Sequence, residues 1–320
     1  MNNFKKIGLS ALAGSLVATS AFAGAMSVSG GASLNVEHKN GNAGDTGKSF
    51  SMGNQLTFTG GGELDNGLNV ALSFIIDQND DKSASYAAKS TNAGTPFDSH
   101  SLTISSDGLG SLKFSGEGGS SAISAMDGTA AGDVWDKFDT STAITPTGIG
   151  GGDNSMMYTL PAMVDGVAIN ASYTPRGSAD STVAWNATYT GVEGLSASVA
   201  MGDGSSASTD GQAYKLSYAM GPLTAAYSNY EYSGATAATS NETNSYALTY
   251  TVSDELSVTY GAESIEEGTS QDVETWIISA AYTAGGMTVS ASSAEIDNLA
   301  GTTAASEDQS KWALGVSFAF

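Results

Sequence analysis

Large apolar side chains alternate with small or polar ones along most of the chain, and the end of the chain shows this most clearly. In Trp312–Phe320 every second position is large and apolar, and the positions between carry Ala, Gly or Ser. A period of two predicts a β-strand, because successive side chains point to opposite faces of a sheet. About ten residues of tilted strand cross a bilayer, with aromatic residues at both interfaces. The segment is therefore predicted to close a membrane barrel, with Trp312 at one interface and Phe318 and Phe320 at the other.

The same alternation recurs in about sixteen segments, which are joined by short turns and longer polar loops in strict alternation. Turn signals such as Asp65-Asn66-Gly67 and Gly285-Gly286 mark the short connections. Outer-membrane barrels have this asymmetry, with short periplasmic turns and longer extracellular loops. The sequence therefore predicts an all-β fold, a transmembrane antiparallel β-barrel of about sixteen strands. Trp185 and Trp276 are expected to join the aromatic girdles.

Residues 1–23 are predicted to be a secretory signal peptide. Lys5 and Lys6 form its positive start, Ile7 to Thr19 its apolar middle, and Ala21-Phe22-Ala23 a cleavage site. A membrane-spanning helix needs about twenty apolar residues, and no run in the chain is that long. The remainder, residues 24–320, is then one barrel domain, since only a closed barrel crosses a membrane without helices. The expected location is the bacterial outer membrane.

The charge balance restricts the partners of the protein. The 33 acidic residues outnumber the 11 basic ones, which gives a formal net charge of −22. A field of this sign attracts cations and repels nucleic acid, so no nucleic-acid partner is expected. The chain has no cysteine, which excludes disulfides and thiolate nucleophiles. Mean hydropathy is −0.09, as expected for a barrel in which lipid-facing and lumen-facing residues alternate.

The number of strands predicts a pore. Eight strands enclose a space that side chains can fill, whereas about sixteen leave an aqueous channel. The longest stretch without alternation, residues 116–155, is the predicted third loop, and a loop of this length is functional or disordered. It contains a short segment that is amphipathic on a helix, with acids on one arc and apolar residues opposite: Asp133, Asp136 and Asp139 against Val134, Trp135 and Phe138. We expect the loop to fold into the lumen with its apolar side on the wall.

The signal segment, the sixteen strands, the long acidic third loop and the terminal Phe320 together resemble the general diffusion porins, most closely the alphaproteobacterial type. The resemblance implies a water-filled channel in the bilayer for small hydrophilic solutes and ions. It further implies a homotrimer latched by the second loop, here residues 78–98. Insertion by the barrel-assembly machinery through the strand that ends in Phe320 is also expected.

In that family, acids of the third loop face a basic cluster across a constriction. Carried over by position, the constriction acids are Asp127, Asp133, Asp136, Asp139 and Asp153. Alternation points three basic residues on different strands inward: Lys113, Arg176 and Lys215. Because this basic cluster is thin, the sequence predicts a pore that prefers cations.

Other functional classes find little support in the sequence. His38 and His100 are the only histidines and fall on the predicted outward face, and no Gly-x-Ser-x-Gly motif is present, so no enzyme is expected. Asp77–Asp81 resembles the start of a calcium loop, but Lys82 stands where the turn needs Gly. No cofactor or metal site is therefore assigned, although weak calcium binding by acidic loops stays open. A substrate-selective porin and a plugged structural or adhesive barrel also remain as alternatives.

Overall fold

The computed structural model of the protein describes the chain in twelve ranges: 14–15, 26–41, 47–77, 97–126, 128–138, 149, 151–177, 180–204, 209–268, 270–299, 301 and 308–320. Within these ranges, sixteen strands form the barrel: β1 Met26–Asn40, β2 Gly47–Glu63, β3 Asn69–Asp77, β4 Phe97–Ser106, β5 Gly110–Glu117, β6 Ser155–Thr159, β7 Val167–Thr174, β8 Thr182–Tyr189, β9 Leu195–Asp203, β10 Asp210–Met220, β11 Leu223–Ser233, β12 Asn241–Thr251, β13 Leu256–Glu267, β14 Val273–Ala284, β15 Met287–Asp297 and β16 Gln309–Ala319. A further two-residue strand, Gly14–Ser15, pairs with the start of β1. In the described part of the chain, three short 3₁₀ helices span Ser124–Met126, Val134–Lys137 and Ala237–Thr239.

Every barrel strand pairs antiparallel with its neighbours in sequence, and the barrel closes where β16 pairs with β1. The closing ladder reaches the last residue of the chain. Phe320 N–H donates to the Gly30 carbonyl at 2.9 Å, and Gly30 N–H donates to the Phe320 carbonyl at 2.6 Å. A closed ladder leaves no open sheet edge, as a membrane-spanning sheet requires. The predicted closing strand and the sixteen-strand barrel are both confirmed.

The two faces of the sheet differ sharply in character. On β12, Tyr246 and Leu248 are 57% and 47% exposed, whereas Ser245, which directly precedes Tyr246, is fully buried. The exposed apolar face is the one that suits lipid. We call the opposite face, to which Ser245 belongs, the inner face.

The predicted girdle residues lie on the exposed face. Trp185, Trp312, Phe318 and Phe320 are all exposed to at least 36%. Trp276 is partly buried, and its indole N–H donates to a Glu295 carboxylate oxygen at 3.2 Å. Their position at the two membrane interfaces stays a prediction.

Short and longer connections alternate around the barrel. One end carries tight turns such as residues 221–222 and 285–286, and the other carries the long connections, of which 118–154 between β5 and β6 is the longest. The second loop, residues 78–98, lies outside the described residues except at its end. Among the described residues, no helix has the length and apolarity to cross a membrane.

Candidate constriction site at the third loop

The third loop, residues 118–154, contacts the barrel wall on the inner face. Its Ala122 N–H donates to the Ser172 hydroxyl on β7 at 2.8 Å, and the Asn186 side-chain amide on β8 donates to the Ala122 carbonyl at 2.5 Å. Ser172 and Asn186 are buried and alternate with the exposed Tyr173 and Trp185. The contact therefore lies on the face opposite to the exposed apolar side chains.

Further along, the loop backbone reaches one strand after another. The Lys215 ammonium on β10 donates to the Gly128 carbonyl at 3.0 Å and to the Met126 carbonyl at 3.3 Å. On β11 the Tyr230 hydroxyl also donates to the Gly128 carbonyl, at 2.8 Å. Wall side chains thus satisfy carbonyl groups of the loop that no strand pairing would satisfy.

Two serines of the wall accept from the loop in the same way. Ala130 N–H donates to the Ser228 hydroxyl on β11 at 2.8 Å, and Ala131 N–H donates to the Ser245 hydroxyl on β12 at 2.9 Å. Both serines are fully buried. Small hydroxyl side chains on the inner face therefore serve as acceptors for the loop backbone and not as surface for water.

The helix Val134–Lys137 lies over the last four strands and is held at both ends by charged side chains. At its start, a carboxylate oxygen of Glu263 on β13 accepts the Trp135 N–H at 3.2 Å. At its end, the Lys311 ammonium on β16 donates to the Lys137 carbonyl at 3.1 Å. Lys311 also forms an ion pair with Glu37 on β1, with 2.5 Å between nitrogen and oxygen. The sequence pattern alone predicted no role for these three charged residues, although alternation with Trp312 and Ala262 places Lys311 and Glu263 inward.

Two apolar clusters attach the loop to the wall. Val134 and Phe138 are buried against side chains of β13 to β15 and the loop after β15: Ile265, Val273, Ile277, Ala294, Ile296 and Leu299. The earlier part of the loop packs on alanines of β8, β9 and β10 through Ala122, Ile123, Met126 and Ile149. A wall of small residues lets the loop backbone approach closely, and a Cβ added at Gly261 would lie 2.7 Å from the Ala131 Cβ.

The predicted constriction acids differ in what their carboxylates do. The helix is a four-residue 3₁₀ helix, and Asp133 precedes it with a left-handed backbone, φ 52°. Its carboxylate accepts the Thr129 N–H at 3.0 Å, while Asp133 N–H donates to the Thr129 hydroxyl at 2.9 Å. These two hydrogen bonds turn the Asp133 carboxylate back onto the loop, whereas Asp136 is exposed. Asp127 and Asp139 lie outside the described residues.

The fifth acid sits where the loop leaves and rejoins the barrel. Asp153 is exposed, and its carboxylate accepts the Gly118 N–H at 3.2 Å, which ties the two ends of the loop together. The Arg176 guanidinium lies beside the neighbouring Gly152, 3.7 Å from the position of a Cβ there. Asp153 and Arg176 therefore lie at the base of the loop.

The predicted basic residues are not gathered into one cluster. Lys113 is exposed on β5, on the same face as the buried Ser115. Lys215 lies five strands away and binds the loop backbone. The bases thus occupy separate parts of the inner face and of the loop base. No group of three or more His, Asp or Glu side chains among the described residues could hold a metal ion.

A closed antiparallel barrel of sixteen strands with an exposed apolar outer face is the architecture of an outer-membrane β-barrel. The sequence matches the Gram-negative porin family over residues 8–320, and the chain belongs to this family. It is accordingly an outer-membrane porin, and the family and the fold point to a channel rather than to an enzyme.

Solved structures show the same fold at low sequence identity. A mutant of the Rhodopseudomonas blastica porin superposes with a TM-score of 0.69 at 15% identity, and the match covers 92% of this chain and 100% of that one. A triple mutant of the same porin gives a TM-score of 0.68 at 15% identity with the same coverage. No curated protein sequence matches the chain. The structural similarity supports the assignment of the fold, and the family match supports the assignment as a porin.

Proposed function

We propose that this porin allows small hydrophilic solutes and ions to diffuse passively, that it prefers cations, and that its third loop folds into the lumen as the constriction. The observation that supports this is the path of the loop. Its backbone is bonded to inner-face side chains of seven strands, β7, β8, β10, β11, β12, β13 and β16, and Asp136 is left exposed. A loop held in this way borders whatever passes through the barrel.

The distribution of charge supports a preference for cations. The chain carries a net charge of −22, and two inward lysines have their ammonium groups bound, Lys215 to loop carbonyls and Lys311 to Glu37 and the Lys137 carbonyl. The charge of Lys311 is offset by the neighbouring carboxylate of Glu37 and therefore contributes less to the field along the pore. A cleft lined by one sign of charge concentrates the opposite ion. Asp136 is the exposed acid of the helix that we expect to act on passing ions.

The test is the reversal potential of single channels in a planar bilayer under a salt gradient. We expect Asp136→Asn to lower the ratio of cation to anion permeability by at most about fivefold, since a unit charge at about 4 Å in water is worth about 1 kcal/mol. Asp165→Asn, which removes an exposed acid in a short turn, is the control and should change nothing. An unchanged ratio in Asp136→Asn would remove this acid from the ion path. Absence of conductance from folded, inserted protein would leave a plugged structural barrel.

The same proposal includes removal of residues 1–23, insertion by the barrel-assembly machinery through the Phe320 strand, and assembly as a homotrimer. The last residue supports the second part, because Phe320 remains in the closing ladder through both of its bonds to Gly30. Mass spectrometry of the exported protein would show a chain that begins at Gly24. Sedimentation in mild detergent would show three chains for each particle, and a monomer would contradict the trimer.

A further inference from the structure

We propose that Glu263 and Lys311 are positioning residues, which bind opposite ends of the helix Val134–Lys137 and hold the third loop in one place beside the pore. The inference rests on the proposed function only in that the loop borders the pore. These two covered charges keep the loop still, which keeps the channel open with low current noise, and they do not select ions.

The start of the helix lacks a cap of its own, which gives Glu263 its role. The first N–H groups of any helix have no partner inside the helix and are usually capped by the preceding side chain. Here the preceding residue, Asp133, makes no such side-chain bond, because its carboxylate is engaged with Thr129. Glu263 supplies the missing acceptor from the wall and binds the Trp135 N–H.

The carboxylate of Glu263 lies under the loop, where its hydrogen-bond donors come from the loop and from the neighbouring strand β12. The residue is 4% exposed. One carboxylate oxygen accepts from the Thr129 hydroxyl and, at 3.3 Å, from the Ser245 hydroxyl, while the other accepts the Trp135 N–H. A buried carboxylate is tolerated when donors converge on it, and bonds to a charged acceptor are the stronger kind. The carboxylate therefore joins two points of the loop, Thr129 and Trp135, to one point of the wall.

Lys311 does the same at the other end with the opposite charge. Its ammonium binds the Lys137 carbonyl, one of the carbonyls that the end of a helix leaves without a partner. Its charge is balanced by Glu37, and both side chains are largely covered, with 14% and 16% of their surface exposed. Because Glu37 lies on β1, this end of the helix is fixed to the seam at which the barrel closes.

The apolar contacts between these two ends do not fix the position of the helix by themselves. Val134 and Phe138 pack on aliphatic side chains, and such contacts are non-directional. Hydrogen bonds at both ends supply the missing direction. Removal of one of the two charges should free one end of the helix while the apolar contact keeps the loop attached, so the loop should fluctuate without leaving the wall.

The first experiment measures this mobility without any ion current. The chain has no cysteine, so Asp136→Cys gives a single site for a spin label on an exposed position of the helix. We expect the population of the mobile label to rise about tenfold with Glu263→Gln or with Lys311→Met, the loss that one charge-assisted hydrogen bond implies. Glu266→Gln on the same strand and Lys48→Met on β2 are the matched controls at exposed positions.

The second experiment separates position from selectivity. In label-free channels, Glu263→Gln should raise the open-channel current noise and leave the reversal potential unchanged, whereas Asp136→Asn should change the reversal potential and leave the noise low. A disulfide between Ala131→Cys and Gly261→Cys should suppress the noise of Glu263→Gln when it is oxidised and not when it is reduced. A Cβ at position 261 would lie 2.7 Å from the Ala131 Cβ, so a shift of about 1 Å reaches disulfide geometry.

The outcomes distinguish this inference from the proposed function. Unchanged label mobility in both folded variants overturns the positioning role, whatever the channel conducts. A wild-type protein that does not conduct overturns the proposed function, and the spin label still decides the positioning role. If Glu263→Gln fails to fold, as read from its mobility on a gel with and without heating, Lys311→Met carries the test, because the Lys311 side chain is 14% exposed.

Discussion

At the scale of single residues, small polar side chains of the wall hold the third loop, and their role depends on where the loop lies. Ser245 precedes the exposed Tyr246, and Ser228 follows the partly buried Tyr227. From the sequence, this alternation identifies both serines as inner-face residues and nothing more. In the structure each accepts one N–H of the loop. A buried N–H that loses its acceptor destabilises the protein by its full desolvation free energy. This is larger than the net stabilisation that the hydrogen bond itself provides. Deletion of one serine hydroxyl should therefore destabilise the attachment of the loop more than the loss of a single oxygen atom suggests.

Ser245→Ala tests this at one residue. The change leaves the Ala131 N–H without its acceptor at 2.9 Å and removes one donor to Glu263. We expect the attached state of the loop to lose about 1–3 kcal/mol, so that the backbone amides of residues 128–138 exchange hydrogen about tenfold faster or more. Exchange followed by mass spectrometry measures it, with Ser257→Ala at the opposite end of β13 as control. Equal exchange in both variants would show that the hydroxyl is not what holds the loop.

At the scale of elements, the strands could be predicted from the sequence because lipid lies on one side of the wall. The resulting contrast between an apolar face and a polar face is visible in the sequence as alternation. The closing strand predicted at Trp312–Phe320 is observed at Gln309–Ala319. The third loop has no such uniform partner. Its helix is bound by Glu263 and Lys311, which lie more than a hundred residues away along the chain. Alternation places these residues on a face but cannot show which loop group they meet.

The same limit explains how the predicted site and the structure differ. A helix at 100° per residue groups Asp133 with Asp136, whereas the observed 3₁₀ helix begins after Asp133, whose left-handed backbone and bond to Thr129 turn its carboxylate away. Lys215 was predicted to face the pore from its position on β10. It does point to the inner face, but its ammonium binds loop carbonyls. Local pattern gives the direction of a side chain, and tertiary contacts decide what it binds.

At the scale of the whole molecule, the fold divides the roles of charge between two places. Charges that hold the loop are covered and bound: neutral donors converge on Glu263 under the loop, and Lys311 forms an ion pair with Glu37. The remaining acids of a chain with net charge −22 act through water and are open to screening by salt. Selectivity and the position of the loop should therefore respond differently to ionic strength, although both depend on charge.

The dependence on salt follows from this division. The Debye length falls from about 10 Å at 0.1 M to about 3 Å at 1 M, so a field that acts across water fades over this range. We expect the cation preference of the wild-type channel, measured as reversal potential at a constant salt ratio, to decline steadily as both solutions are raised through this range. Open-channel noise should stay constant, because covered pairs are screened much less. A preference that persists at high salt would place a direct binding site for cations in the pore, and noise that rises with salt would show that Glu263 and Lys311 are accessible to ions.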